Sequence, residues 1–211
     1  MKEYSIAMSL VDFIPVLIFG AAYILLMRDL YNKMSKASYA LFASGAVCIT
    51  IAGFCKALYK LLYAAGVCDF DALNQMMLPV QSIGYILLGV GIASMLLGRK
   101  GGKAAYAAVP PLFKGTFIFI PMMVVGLGTL SVCLSVLSVK LKKAGLIPLF
   151  VLLFFCYMAM GYLSSKDFAQ SSMNWISEGV NILGSCVLLT GTLLLHRFGL
   201  ETLQLKKKIA A

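Results

Sequence analysis

Residues 77–98 read MLPVQSIGYILLGVGIASMLLG, a run without a single charge. A transmembrane helix needs about 20 apolar residues at 1.5 Å rise to cross about 30 Å of hydrocarbon, and this run meets that length. Working outward, five more segments also meet it, roughly 6–27, 39–64, 116–139, 144–164 and 172–196. Backbone in lipid must satisfy its own hydrogen bonds, so the expected fold is all-α, a polytopic bundle of six transmembrane helices. No ten-residue alternating pattern supports a β-barrel.

Composition agrees. Of 211 residues, 61% are hydrophobic and 12% charged. A soluble domain carries roughly 45–50% apolar and about 25% charged residues, so this chain cannot clothe a water-soluble globule. The loops are short, and the longest, around Arg99–Gly115, has no room for a soluble domain. The expected organisation is one integral membrane domain over 1–211, with a basic tail at 198–211. No cleavable signal is expected, because the first apolar run is too long and lacks a small-residue cleavage site.

Eighteen Lys and Arg stand against eight Asp and Glu, a net charge of +10. The basic residues sit in short loops and the tail, between apolar runs. That placement fits topology signals and anionic headgroups of the lipid bilayer rather than nucleic acid. The six cysteines form no CxxC and His196 is the only histidine. No metal or other cofactor is therefore expected, and the cysteines read as small apolar packing residues.

The chain also repeats itself. Phe13-Ile14-Pro15 recurs as Phe119-Ile120-Pro121, followed five positions on by Gly20 and Gly126. Asp69-Phe70 recurs as Asp167-Phe168, and Val80, Gly84, Leu88 and Gly91 as Val180, Gly184, Leu188 and Gly191. Two three-span repeats follow, about 6–98 and 116–197. Three is odd, so six spans imply halves of inverted topology, an arrangement common among transporters. On that topology one face receives Arg28, Lys33, Lys36, Arg99, Lys100, Lys103, Lys114 and Lys166. The other receives Lys2, Lys140, Lys142, Lys143, Arg197, Lys206, Lys207 and Lys208, and the positive-inside rule ties. Insertion in both orientations would explain the tie. So would an extra crossing within 99–139, which would make the repeats parallel.

Ionisable groups inside spans are costly and mark candidate function. Asp12 and Lys56 lie on the order of 10 Å from the same face, so an ion pair or proton-linked site is expected between them. Lys60, one turn nearer its helix end, is expected to snorkel outward. In the last span Asn174, Ser177, Glu178 and Asn181 form one polar stripe, and the third span supplies Gln81 and Ser82 in matching register. A polar substrate-binding site between the third and sixth spans is the expectation, with Glu178 holding a cation or proton. Interhelical hydrogen bonding is the plainer reading of the same stripe. Pro15, Pro121 and Pro148 are expected to kink their helices.

No GxSxG, HExxH or P-loop is present, so a non-enzymatic role is the expectation, with a membrane-embedded enzyme resting only on isolated polar residues as a third class. The expected function is transport or conduction of a small solute or ion across the cell membrane by a multi-pass protein. The alternative is a substrate-binding, sensory or accessory subunit. Expected partners are the bilayer, the solute, and a second copy or a partner membrane subunit.

Overall fold

The computed structural model describes residues 5–98, 118–163 and 171–204. They form a helical bundle. Helix α1 (Ile6–Val11) leads into α2 (Phe13–Leu30), followed by α3 (Lys36–Ala64). A short α4 (Ala72–Gln75) precedes α5 (Met77–Leu96), then α6 (Phe119–Lys140), α7 (Ile147–Leu163) and α8 (Ser171–Arg197). Counting α1–α2 and α4–α5 as single spans, five helices are long and apolar enough to cross a membrane. The sixth, α7, has 17 residues and spans about 25 Å. Large apolar side chains also cover the outer surface, with Leu17 72%, Ile24 66% and Phe155 61% exposed. An exterior of that kind suits hydrocarbon rather than water.

Local chemistry sets the helix ends. Ser5 caps α1 by accepting from the Met8 amide, and Ser35 caps α3 by accepting from that of Ser38. α3 stops where Gly66 takes a left-handed φ of 66° and the Val67 amide reaches back to the Leu62 carbonyl. The expected proline kinks resolve into helix starts. Pro148 is the second residue of α7 and Pro121 the third of α6, where a missing N–H costs nothing. Pro15 removes the bond that would reach Val11, and the helix breaks at Asp12 between α1 and α2. Pro79 likewise follows the break at Met76 between α4 and α5.

The helices pack as a closed ring in the order α2, α3, α5, α6, α7, α8 and back to α2. Glycines bring α5 close on both sides. A Cβ on Gly84 would lie 3.0 Å from the Gly45 carbonyl of α3, and one on Gly89 would lie 2.9 Å from the Gly126 carbonyl of α6.

Helix directions correct the inverted arrangement. Along α5 and α6 contacts advance together: Gly126 rests on Tyr85 and Ile86, and Gly89 on Gly126 and Thr129. These two helices therefore run parallel. So do α2 and α8: Asp12 and Glu178 share Lys60 at one end, and Asp29 meets His196 at the other. Neighbours α2–α3, α3–α5 and α7–α8 are antiparallel; Gly184 lies on Cys156 and Gly191 on Phe150. Hence α2, α5, α6 and α8 all start at one end, called here the near face. Three spans per half imply inversion only where residues 99–118 begin and end on one side. The extra crossing weighed for that region falls outside the described residues, but its flanks, Gly98 and Ile118, sit at opposite ends of the bundle.

Charge follows the same axis. Seven described Lys and Arg, namely Arg28, Lys33, Lys36, Lys140, Lys142, Lys143 and Arg197, gather at the far face. The near face carries Asp69 and Asp71 and, among described residues, no basic side chain except the inward Lys56 and Lys60.

Candidate functional site

The far half of the bundle is packed solid. Tyr23, Leu26, Leu30, Phe42, Leu130 and Leu134 are at most 1% exposed. Toward the near face the packing parts around a cavity of about 350 Å³. That volume lies at the small end of the range for ligand sites. All six spans contribute to its wall.

Three charged side chains meet there. The Lys60 Nζ lies 2.7 Å from Asp12 Oδ2 and 3.3 Å from Glu178 Oε1. The three side chains are only 5%, 5% and 3% exposed. Asp12 stands at the break before α2, Lys60 on the last turn of α3 and Glu178 on the third turn of α8. The triad therefore ties the first, second and sixth spans. Opposed charges and hydrogen bonds offset the desolvation that each would suffer alone. Asp12 Oδ1 and Glu178 Oε2 are buried and accept no hydrogen bond from the protein.

Not every expected residue joins in. Glu178, Asn174, Asn181 and Gln81 line the cavity, as do Asp12 and Lys56. Ser177 does not; its hydroxyl faces Met160 Sδ of α7 at 3.7 Å. Ser82 does not either, since its hydroxyl donates to the Leu78 carbonyl of its own helix at 2.6 Å. The site is also wider than a seam between the third and sixth spans.

Lys60 departs furthest from expectation. Its side chain turns inward instead of snorkelling, because Lys56 and Lys60 lie four residues apart on one face of α3 and two carboxylates wait inside the ring. The four-residue spacing was the available signal. Tyr85 and Tyr157, unremarked in the sequence, also reach the cavity, their rings 6.2 Å apart.

A second polar cluster closes the far end. Asp29, with a fully buried carboxylate, lies 3.0 Å from His196 Nδ1. Arg28 Nη2 approaches the same ring at 3.2 Å, and Lys33 donates to the Glu201 carbonyl at 2.7 Å. Asp29, His196 and Glu201 bring ligand atoms within 4.8 Å of one another. Arg28 and Lys33 place positive charge on that group, which opposes a metal ion there.

The site is therefore a small cavity in the near half of the bundle, lined by a buried ion triad and by Tyr85 and Tyr157. No protein-family model, curated protein or solved structure matches this chain.

Proposed function

We propose that the chain is a multi-pass protein of the cell membrane that binds a small solute in the near-facing cavity and carries it across. The observation that carries this reading is the buried Asp12–Lys60–Glu178 triad on a cavity reaching into the bundle while the far half stays closed. Buried charges inside a membrane bundle mark substrate or ion paths, and a cavity at the junction of all six spans is where transporters place their sites.

The duplicated motifs and the shared direction of α2 and α6 support two parallel three-helix repeats about an axis along the membrane normal. On this reading α5 and α6 start at the same face, so Gly98 lies at the far face and Ile118 at the near face. The tie in basic residues then disappears. The far face takes the seven described Lys and Arg and is cytoplasmic by the positive-inside rule. The cavity faces the outside.

A substrate-binding or sensory subunit would share this cavity but never expose it to the cytoplasm. Two-sided thiol labelling separates the readings. With the native cysteines replaced, Asn181→Cys is exposed to a membrane-impermeant methanethiosulfonate in right-side-out and inside-out vesicles. Labelling from both sides supports transport. Labelling from the outside alone supports the binding subunit.

A further inference from the structure

The basic residues of the far face fall into two groups. Beside α2, acidic groups accompany them: Arg28 lies 3.6 Å from Asp29, and Lys33 feels the fields of Asp29 and Glu201. Around the α6–α7 turn this is not so. Lys140, Lys142, Lys143 and Arg197 are all exposed, and among the described residues none of them has a carboxylate within ion-pair distance. We propose that this turn and the adjoining end of α8 hold one anionic phospholipid, its phosphate on these four cations and its chains along α6 and α7. The inference needs only the multi-pass reading of the chain and holds whatever the cavity carries.

The turn carries more charge than a helix end requires. The Lys143 amide donates to the Ser138 carbonyl at 2.8 Å and the Lys142 amide to the Val139 carbonyl at 2.9 Å, a Schellman ending for α6. Such an ending favours glycine at its left-handed position and an apolar residue after it. Here Lys142 takes a φ of 58° and Lys143 follows. A side chain in that region is strained, so lysine stands where stability alone would place glycine. The Lys143 ammonium lies 4.6 Å from the centroid of the Phe198 ring, which joins the turn to the end of α8 beside Arg197. Like charges gathered this way repel one another until an anion comes between them.

The surface leading to the turn identifies the anion as a lipid. Val132, Val136 and Val139 are exposed on α6 at helical spacing, and their stripe ends at Lys140. The neighbouring α7 adds the exposed Val151 and Phe155. Apolar faces of two adjacent helices that end in a cluster of ammonium groups match an amphiphile with acyl chains below and phosphate above. A zwitterionic headgroup would bring its own cation to the same cluster, so the fitting headgroup carries net negative charge. Each lysine at headgroup level contributes about fivefold to such binding.

The test titrates the purified full chain in a non-ionic detergent with dioleoylphosphatidylglycerol or dioleoylphosphatidylcholine and counts retained lipid by native mass spectrometry. The phosphatidylglycerol is expected to bind at least about twentyfold tighter. Lys140→Gln, Lys142→Gln and Lys143→Gln combined should bring that ratio toward unity. Lys36→Gln, on the same face but at the start of α3, should leave it within about twofold. Lys142→Gly separates binding from architecture. It should weaken phosphatidylglycerol about fivefold while raising the unfolding midpoint by about 2 °C, since glycine relieves the left-handed residue. Free glycerol 3-phosphate at the same concentration should not displace the lipid; displacement would assign a soluble phosphate and overturn the lipid. Equal affinity for the two lipids overturns the proposal, as does an unchanged ratio in the triple variant. The two-lipid comparison needs only the unaltered chain, so a variant that fails to fold leaves the proposal falsifiable. None of these outcomes moves the two-sided labelling of Asn181→Cys, so the lipid site and the transport reading fail separately.

Discussion

Asp29 and His196 hold the far ends of the first and last spans together: the carboxylate is fully shielded and its Oδ2 lies 3.0 Å from the imidazole Nδ1. The Asp12–Lys60–Glu178 triad joins the same two spans at the near end, with α3 as the third member. The α2–α8 seam thus carries charged contacts at both ends. Opening the far face between these spans requires breaking the Asp29–His196 contact.

Replacing His196 leaves a buried carboxylate with Arg28, at 3.6 Å, and the more distant Lys33 to compensate. His196→Ala is expected to lower stability by about 1–2 kcal/mol, and Asp29→Asn in the same chain should recover part of the loss. Thermal unfolding of the two single variants and the double variant gives the coupling. Full additivity would show that the contact contributes nothing.

Lys60 is the member of the triad whose loss costs most. Lys60→Met removes the ammonium that bridges the two buried carboxylates, leaving Lys56 to offset both, and is expected to cost about 3 kcal/mol or more. Asp12→Asn on that background should recover much of it. The same cycle between Asp12 and Lys56 should give a smaller coupling, because Lys60 is the residue at 2.7 Å. Denaturation of the four variants measures both, and equal couplings would contradict this ordering.

Much of the fold was legible because one physical rule dominates it. Uninterrupted apolar runs of membrane length can be little else, and the six expected segments match the helices to within a few residues. Direction was not legible. It depends on whether residues 99–118 cross, and that stretch carries Arg99, Lys100, Lys103 and Lys114 around a short apolar run. The site was legible to the level of a helix face. Glu178, Asn174 and Asn181 share a stripe and do meet the cavity. Which lysine Asp12 would meet was not, since Lys56 and Lys60 occupy the same face one turn apart. Asp29 next to Arg28 reads as an ordinary helix end, and nothing local reveals that His196 comes to it from 167 residues away.

The parallel approach of α5 and α6 predicts a sharp contrast between two nearby glycines. A Cβ on Gly126 would run into the Tyr85 backbone, whereas on Gly128 it would make ordinary contact with Phe154 at 3.5 Å. Gly126→Val is therefore expected to cost about 2 kcal/mol or more through overpacking, and Gly128→Ala to be nearly neutral. Unfolding midpoints in one detergent give the comparison. Equal tolerance at both positions would mean that these helices are not held at backbone distance.

Orientation yields the last prediction, because helix direction and charge placement point the same way. The near face has Asp69, Asp71 and the exposed Cys68, while the far face has seven described basic residues. Basic residues flanking spans are retained on the cytoplasmic side. A membrane-impermeant maleimide should therefore label Cys68 in intact cells, and Cys68→Ser should remove that signal; the outward Cys186, on the lipid-facing surface of α8, is shielded by the bilayer. A fluorescent protein fused after Ala211 should fold in the cytoplasm, since α8 ends at the far face. The two results together require an odd number of crossings between the start of α2 and the tail. Six spans supply an even number, so an external Cys68 with a cytoplasmic tail would support the parallel arrangement of the two halves. A tail found on the same side as Cys68 would contradict the parallel arrangement of the two halves.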